Sequence, residues 1–319
     1  GLNRLGFVAG SSAVEVSASF GVARVAEGKH PLSHALAAAE IACKAAKDRG
    51  RDRVETYAEA DQSIVRRYTD VTLVGTLRYA LSQDRFRLEA QPIGPKCELL
   101  LRMTDEAGES VAPEKFFSAA ERYQLAPAID RWVVRRVLQT LKPHAADLVR
   151  RGACFAVNIS GQSLGDAEFC AFLEGALRES GLPASLLSFE LTETAAVANI
   201  VRAETLMRRL RELGFDVALD DFGRGLSSLT YLKTLPATCL KIDGTFVRDV
   251  VGDDRAQAML SAIVRLAQAM GLRTVAECVE SDAIRDIVRQ LGVEFGQGFS
   301  IGRPAPLEKV IPAVLGASI

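Results

Sequence analysis

From Phe86 onward the chain repeats one pattern, a short apolar run followed by a longer stretch with helical periodicity. The runs are FRLEAQPI (86–93), ELLLRM (98–103), CFAVNI (154–159), LSFELT (187–192), DVALDD (216–221), TCLKID (238–243), RTVAE (273–277) and VEFGQG (293–298). The spacing predicts helices over 114–124, 128–142, 166–180, 199–213, 253–270 and 281–291. Strands alternating with helices build parallel βαβ units, and eight strands closing on themselves predict an α/β fold, a TIM-like (β/α)8 barrel. The first connection, Gly94-Pro95-Lys96-Cys97, is too short for a helix. The first strand is therefore expected to be antiparallel, paired with the second as a hairpin.

Each run is apolar until its C-terminal end, where polar side chains appear: Asn158, Glu190, Asp220 with Asp221, Lys241 with Asp243, Glu277 and Gln297. In parallel α/β barrels that rim carries the active site. Ionised groups so near a core are costly unless paired or metal-bound. Acids converging on one lysine call for cations, and oxygen ligands with an amide favour Mg2+ or Mn2+ over zinc. On ELLLRM, alternation puts Glu98, Leu100 and Arg102 on one face and Leu99, Leu101 and Met103 on the other. If Glu98 faces the mouth, so does Arg102, whose guanidinium suits a phosphate. Asp220 and Asp221 diverge on an ideal strand, so both reach one cluster only if the chain turns there, as Phe222-Gly223 permits. Singly, a glutamate at a strand end is ordinarily a solvated cap or an ion-pair partner; the inference rests on the set.

Upstream, residues 14–25 alternate like a strand, 31–49 read as an Ala-rich helix that Gly50 ends, and 53–57 as a closing strand. Residues 1–60 thus form a small partial α+β segment. Ile64, Tyr68, Val71, Val74, Leu77 and Leu81 recur at helical spacing, which makes 61–84 a linking helix before a barrel over 85–319.

Composition excludes several classes. With 39 Lys+Arg against 40 Asp+Glu and a net charge of −1, no nucleic-acid polymer is an expected partner. The six cysteines form no C-x-x-C pair, and His30, His34 and His144 lie far from every strand end above, which argues against zinc-finger and His-triad chemistry. No apolar run approaches the roughly 20 residues of a membrane span. The expected location is the cytoplasm, free or as the cytoplasmic part of a membrane-anchored protein.

The segments ELLLR (98–102), NISGQSL (158–164), ELTE (190–193), DDFGRGLSSL (220–229), LKID (240–243), VAECVE (275–280) and QGF (297–299) resemble, in order and spacing, the EAL-type cyclic di-GMP phosphodiesterases. SFGVA (19–23) and 39–57 resemble the C-terminal part of a GGDEF, diguanylate cyclase-like domain, without its signature loop. The resemblance implies two divalent ions, Mg2+ or Mn2+. Glu98, Asn158, Glu190 and Asp220 would hold the first, with Asp220 bridging to a second held by Asp221 and Glu277. Lys241 would hold or deprotonate the attacking water, with Gln297 supporting it. Arg102, Gln91 and Leu100 would contact substrate, Glu193 would anchor the loop 222–228, and Asp243 and Glu280 would stand behind the ligands. The implied reaction cuts one ester of cyclic di-GMP to give linear pGpG. The implied partners are that nucleotide, a second copy of the chain through the barrel, and upstream sensory or GGDEF segments.

Three departures stand out: Leu99 where the family usually has Ala, Arg224 and Leu226 where it commonly has Thr and Tyr, and the short connection after Ile93. Two other functions compete with hydrolysis of cyclic di-GMP: a catalytically silent receptor for that nucleotide, and a barrel enzyme acting on another phosphodiester.

Overall fold

The computed structural model describes residues 7–9, 12–14, 18–24, 32–48, 52–57, 73–105, 107–224 and 229–316. It divides into two compact units, Gly1–Tyr79 and Ala80–Ile319. In the first, β1 (Phe7–Ala9) and β2 (Ser12–Val14) form an antiparallel pair. β3 (Phe20–Val22) and β4 (Val54–Thr56) pair in parallel, with the helix Leu32–Asp48 between them in sequence. Of the strand expected over 14–25, Val14 ends β2 and Phe20–Val22 form β3, while 15–17 and 25 lie outside the described residues. Of the expected linking helix, 61–72 lie outside the described residues and 73–82 are helical.

The second unit holds a mixed sheet. β5 (Phe86–Ile93) and β6 (Lys96–Thr104) pair antiparallel, with Ile93 opposite Lys96. The connection is therefore the two residues Gly94-Pro95 rather than four. Gly94 supplies the positive φ (+53°) that a two-residue hairpin needs at its first position. β7 (Ser110–Val111) pairs with β6, and β8 (Cys154–Asn158), β9 (Leu187–Thr192), β10 (Asp216–Phe222), β11 (Cys239–Ile242), β12 (Arg273–Ala276) and β13 (Phe295–Gly296) then add in parallel. β14 (Ala305–Pro306) pairs antiparallel with β5. The predicted helices fall within a residue or two of their expected ends; the short helices 145–150, 161–164 and 193–198 and the C-terminal helix Leu307–Gly316 were not expected.

The sheet path runs from β13 to β14, and among the described residues no backbone ladder joins β13 to β5. This corrects the expected closed barrel of eight full strands. The run 293–298 forms only two residues of strand because the chain leaves the sheet at Gln297, whose carbonyl accepts from Val279 N (2.9 Å). Only glycine fits next, since a Cβ on Gly298 would lie 2.3 Å from the Val279 carbonyl oxygen. Side chains tie the two edges instead: Gln297 Nε2 donates to Gln91 Oε1 on β5 (3.2 Å), and Gln91 Nε2 donates to Gly302 O (3.2 Å).

The inner face is layered. Lys96, Asp216 and Arg273 form an ionic layer at the N-terminal ends of the strands, with Arg211 also donating to Asp216. Small residues, Ala156, Ser188, Ala218 and Cys239, line a void of about 30 Å3 above it, which Glu190 and Lys241 border from the other end. The opposite face is apolar: Leu99, Leu101 and Met103, and likewise Leu187, Phe189 and Leu191, are buried. Trp132 packs on Phe86 (ring centroids 5.3 Å) as a structural residue. All six cysteines are free, and no described helix is long and apolar enough to cross a membrane.

Candidate active site

Parallel neighbours in register bring the polar strand ends together: Asn158 lies opposite Glu190, and Asp220 opposite Thr192 two positions further on. At the centre stands Lys241, 1% exposed. Its Nζ lies 3.0 Å from Glu98 Oε2, 2.8 Å from Glu190 Oε2, 3.0 Å from Asp220 Oδ1 and 3.0 Å from Glu277 Oε1. Asn158 Nδ2 donates to Glu98 Oε1 (2.7 Å), and Gln297 Nε2 to Glu98 Oε2 (2.7 Å).

The turn expected after Asp221 occurs at Asp221 itself. Its φ is +54°, unusual for a non-glycine residue. The β10/β11 register shifts between Leu219 and Phe222, a bulge that re-aims one side chain. Consecutive aspartates thereby serve two groups. Glu98, Glu190 and Asp220 place carboxylate oxygens within 4.8 Å of one another, and so do Asp221, Asp243 and Glu277.

Four carboxylates thus face one ammonium, with Asp221 and Asp243 beside the fourth, Glu277. Burial would lower the Lys241 pKa, but Asp220, Glu190, Glu98 and Glu277 hold it well above its usual value, so the side chain is a cation. Burial also raises the acids. For Glu98 the Lys241 charge and the hydrogen bonds from Gln297 and Asn158 outweigh it, leaving the carboxyl below its ordinary range. Glu190 is driven well above that range and Glu277 up to about 8, in both cases chiefly by burial.

The donor set fits divalent ions. An ammonium has three hydrogens for four surrounding carboxylates, and Asp220 Oδ1 is left buried with no hydrogen bond although Nζ is near. Gln297 Oε1 is likewise buried without a donor. Anionic and amide oxygens without His or Cys suit hard cations.

Other candidates take different places. Glu193 is buried; its Oε2 accepts from Gly223 N (2.8 Å) and its Oε1 from the Tyr231 hydroxyl. Residues 225–228 of the loop it was expected to anchor lie outside the described residues. Gln91 has both ends of its amide engaged in joining the sheet edges, which makes it a tie rather than a free substrate contact. Arg102 stays outside the cluster, its Nε 2.9 Å from Glu89 Oε2, and Leu100 is half-buried between Glu98 and Arg102. Glu280 is exposed and makes none of the cluster's contacts, so it does not stand behind the ligands. Asp243 does more than expected: it joins Asp221 and Glu277, and its carboxylate accepts from Thr245 N (2.9 Å).

Sequence reasoning missed two residues. Buried Asp130 accepts from Ser160 N (2.9 Å) and Ser163 Oγ (2.6 Å), fixing the turn after Asn158. Its signal was a lone acid in the apolar stretch AIDRWVV. Tyr231, in TYLKTLP, carried no comparable signal.

An acid cluster that could hold divalent ions, at the strand ends of a largely parallel sheet, marks a candidate metal site on an α/β barrel-type sheet. The EAL domain model matches residues 74–304, and the chain belongs to the EAL domain family. It is 34% identical over 294 residues to Cyclic di-GMP phosphodiesterase PdeB of Shewanella oneidensis, covering 89% of this chain and 34% of that protein. Cyclic di-GMP phosphodiesterase PdeF of Escherichia coli is 36% identical over 242 residues, covering 74% and 32%. The chain thus spans about a third of the length of these relatives. Among solved structures, the PaMucR phosphodiesterase in complex with c-di-GMP superposes with a TM-score of 0.70 at 32% identity, covering 75% of this chain and 99% of that one. The FimX EAL domain from Pseudomonas aeruginosa bound to c-di-GMP gives 0.68 at 29%, covering 73% and 96%.

Proposed function

We propose that this chain hydrolyses cyclic di-GMP to linear pGpG with two divalent ions, Mg2+ or Mn2+. The observation that carries this reading is the surplus of buried carboxylate over buried cation around Lys241, ending in the orphaned Asp220 oxygen. Glu98, Asn158, Glu190 and Asp220 would hold one ion. Asp221, Glu277 and Asp243 would hold the other, with Asp220 between them. When bound, such ions supply positive charge to a phosphodiester and lower the pKa of a water.

The chain's own groups do the rest. Lys241, whose Nζ lies among Glu98, Glu190, Asp220 and Glu277, would hold or help deprotonate the attacking water. Gln297 fixes Glu98 and keeps Oε1 free to accept from that water. Arg102, on the face of Glu98 and steadied by Glu89, offers a guanidinium to the substrate phosphate. Glu193 holds the chain on either side of 225–228, at Gly223 and Tyr231.

Residues 1–60 read as a partial GGDEF-like regulatory segment. Its parallel β3/β4 pair spanning one helix supports that reading. A homodimer through the barrel is the expected assembly, which sedimentation with substrate present would test.

The deciding experiment incubates the purified chain with cyclic di-GMP and Mn2+ or Mg2+ and follows pGpG by chromatography, with Glu98→Ala and a chelator alongside. Metal-dependent pGpG that disappears in the variant is the expected result. Binding without product in the wild type would make the chain a receptor, and turnover of other phosphodiesters but not this one would reassign the substrate.

A further inference from the structure

Arg224 sits three residues past Asp221, and its Nη1 lies 3.6 Å from Asp221 Oδ1. The guanidinium is 67% exposed, so packing does not hold it there. Asp221 and Arg224 both line an open cavity of about 1250 Å3, which leaves the guanidinium room to swing away. Asp221 belongs to the second group, where its carboxylate oxygen lies within 4.8 Å of those of Asp243 and Glu277. Lys241, the buried cation, lies against Glu98, Glu190 and Asp220 and in the second group against Glu277 alone, while Arg224 is the cation beside Asp221.

We infer that Arg224 is a built-in counter-ion of the Asp221/Asp243/Glu277 group, so that a divalent ion binding there must displace it. The inference rests on the two-ion reading above and concerns a residue at which this chain departs from its family. A fixed positive charge a few ångströms from an ion site weakens divalent binding by Coulomb repulsion, moderated by solvent at so exposed a position. A substrate phosphate would offer the displaced guanidinium a partner in the cavity, which makes filling of the second site cooperative with substrate.

The test is Mn2+ binding to the full chain without nucleotide, followed by calorimetry and by electron paramagnetic resonance, in wild type, Arg224→Thr and Arg224→Lys. The expected result is two ions per chain, with the weaker site tightened about threefold to tenfold in Arg224→Thr, the tighter site unchanged, and wild-type behaviour in Arg224→Lys. Two ions with identical affinities in wild type and Arg224→Thr would overturn the role of Arg224 and leave the two-ion reading standing. Failure of all three proteins to bind a second ion would overturn both.

Discussion

The Tyr231 hydroxyl donates a hydrogen bond to the Glu193 carboxylate, whose other oxygen accepts from the backbone N–H of Gly223. One buried carboxylate therefore fastens both flanks of the segment 225–228. Tyr231→Phe removes one clasp and leaves the ring. It should cost about 1–2 kcal/mol of stability by urea denaturation, and lower pGpG formation about tenfold if the loop completes the site. Unchanged turnover with the expected loss of stability would confine the clasp to a structural role.

Lys241 neutralises a pocket that otherwise contains only acids and amides. Lys241→Met keeps the length of the side chain and removes its charge. In chelator the variant should lose about 3–5 kcal/mol, as when one partner of a buried ionic group is removed. Mn2+ should restore more stability to it than to the wild type, because ions then replace the buried positive charge that Lys241 supplied. Thermal melts with and without Mn2+ read this directly; equal metal-induced shifts in the two proteins would contradict it.

Leu99 is 3% exposed and lies on the apolar face with Leu101 and Met103. Leu99→Ala, which restores the family's usual triplet, should cost about 2–4 kcal/mol through the cavity it leaves. Metal affinity and turnover should stay within about twofold, because the side chain points away from Glu98. A collapse of activity in a folded variant would show that the triplet acts on the site itself.

Asp216 provides a pH-dependent element remote from the site. Burial acts to raise its pKa, but Arg273 and Lys96 hold it below the ordinary value. A depressed carboxyl stabilises the fold above its unfolded pKa of about 4, and that contribution fades as pH falls through the folded value. Asp216→Asn should therefore cost about 1 kcal/mol at pH 7, a modest figure because the group is a third exposed. The difference from wild type should shrink below about pH 4 in urea titrations run across that range.

Periodicity located β5, β6, β8 through β12 and the main helices because each buries one face, and burial writes itself into the chain as alternation or helical spacing. The polar strand ends likewise marked Asn158, Glu190, Asp220, Lys241 and Glu277, whereas Glu98, near the start of its strand, was reached through side-chain alternation and the family resemblance. What stayed hidden depends on backbone detail. The left-handed Asp221 and its bulge follow from the β10/β11 register, which no local pattern encodes. The short β13 depends on Val279 pressing against Gly298, an approach from a distant segment. Gln91 could be read only as a polar residue near a strand end, since its partners, Gln297 and Gly302, lie some two hundred residues away.

The bulge at Asp221 divides the two acid groups by their place in the sheet. Glu98, Glu190 and Asp220 all sit within paired strands. Asp221 stands at the register break, while Asp243 and Glu277 follow the last residues of β11 and β12, each still donating its backbone N–H to the strand before it. The ladder therefore carries the first group, and the second stands where the ladder ends. A change that erased the bulge would turn Asp221 away from Asp243 and Glu277 and leave the β8/β9 register that carries Glu190 in place.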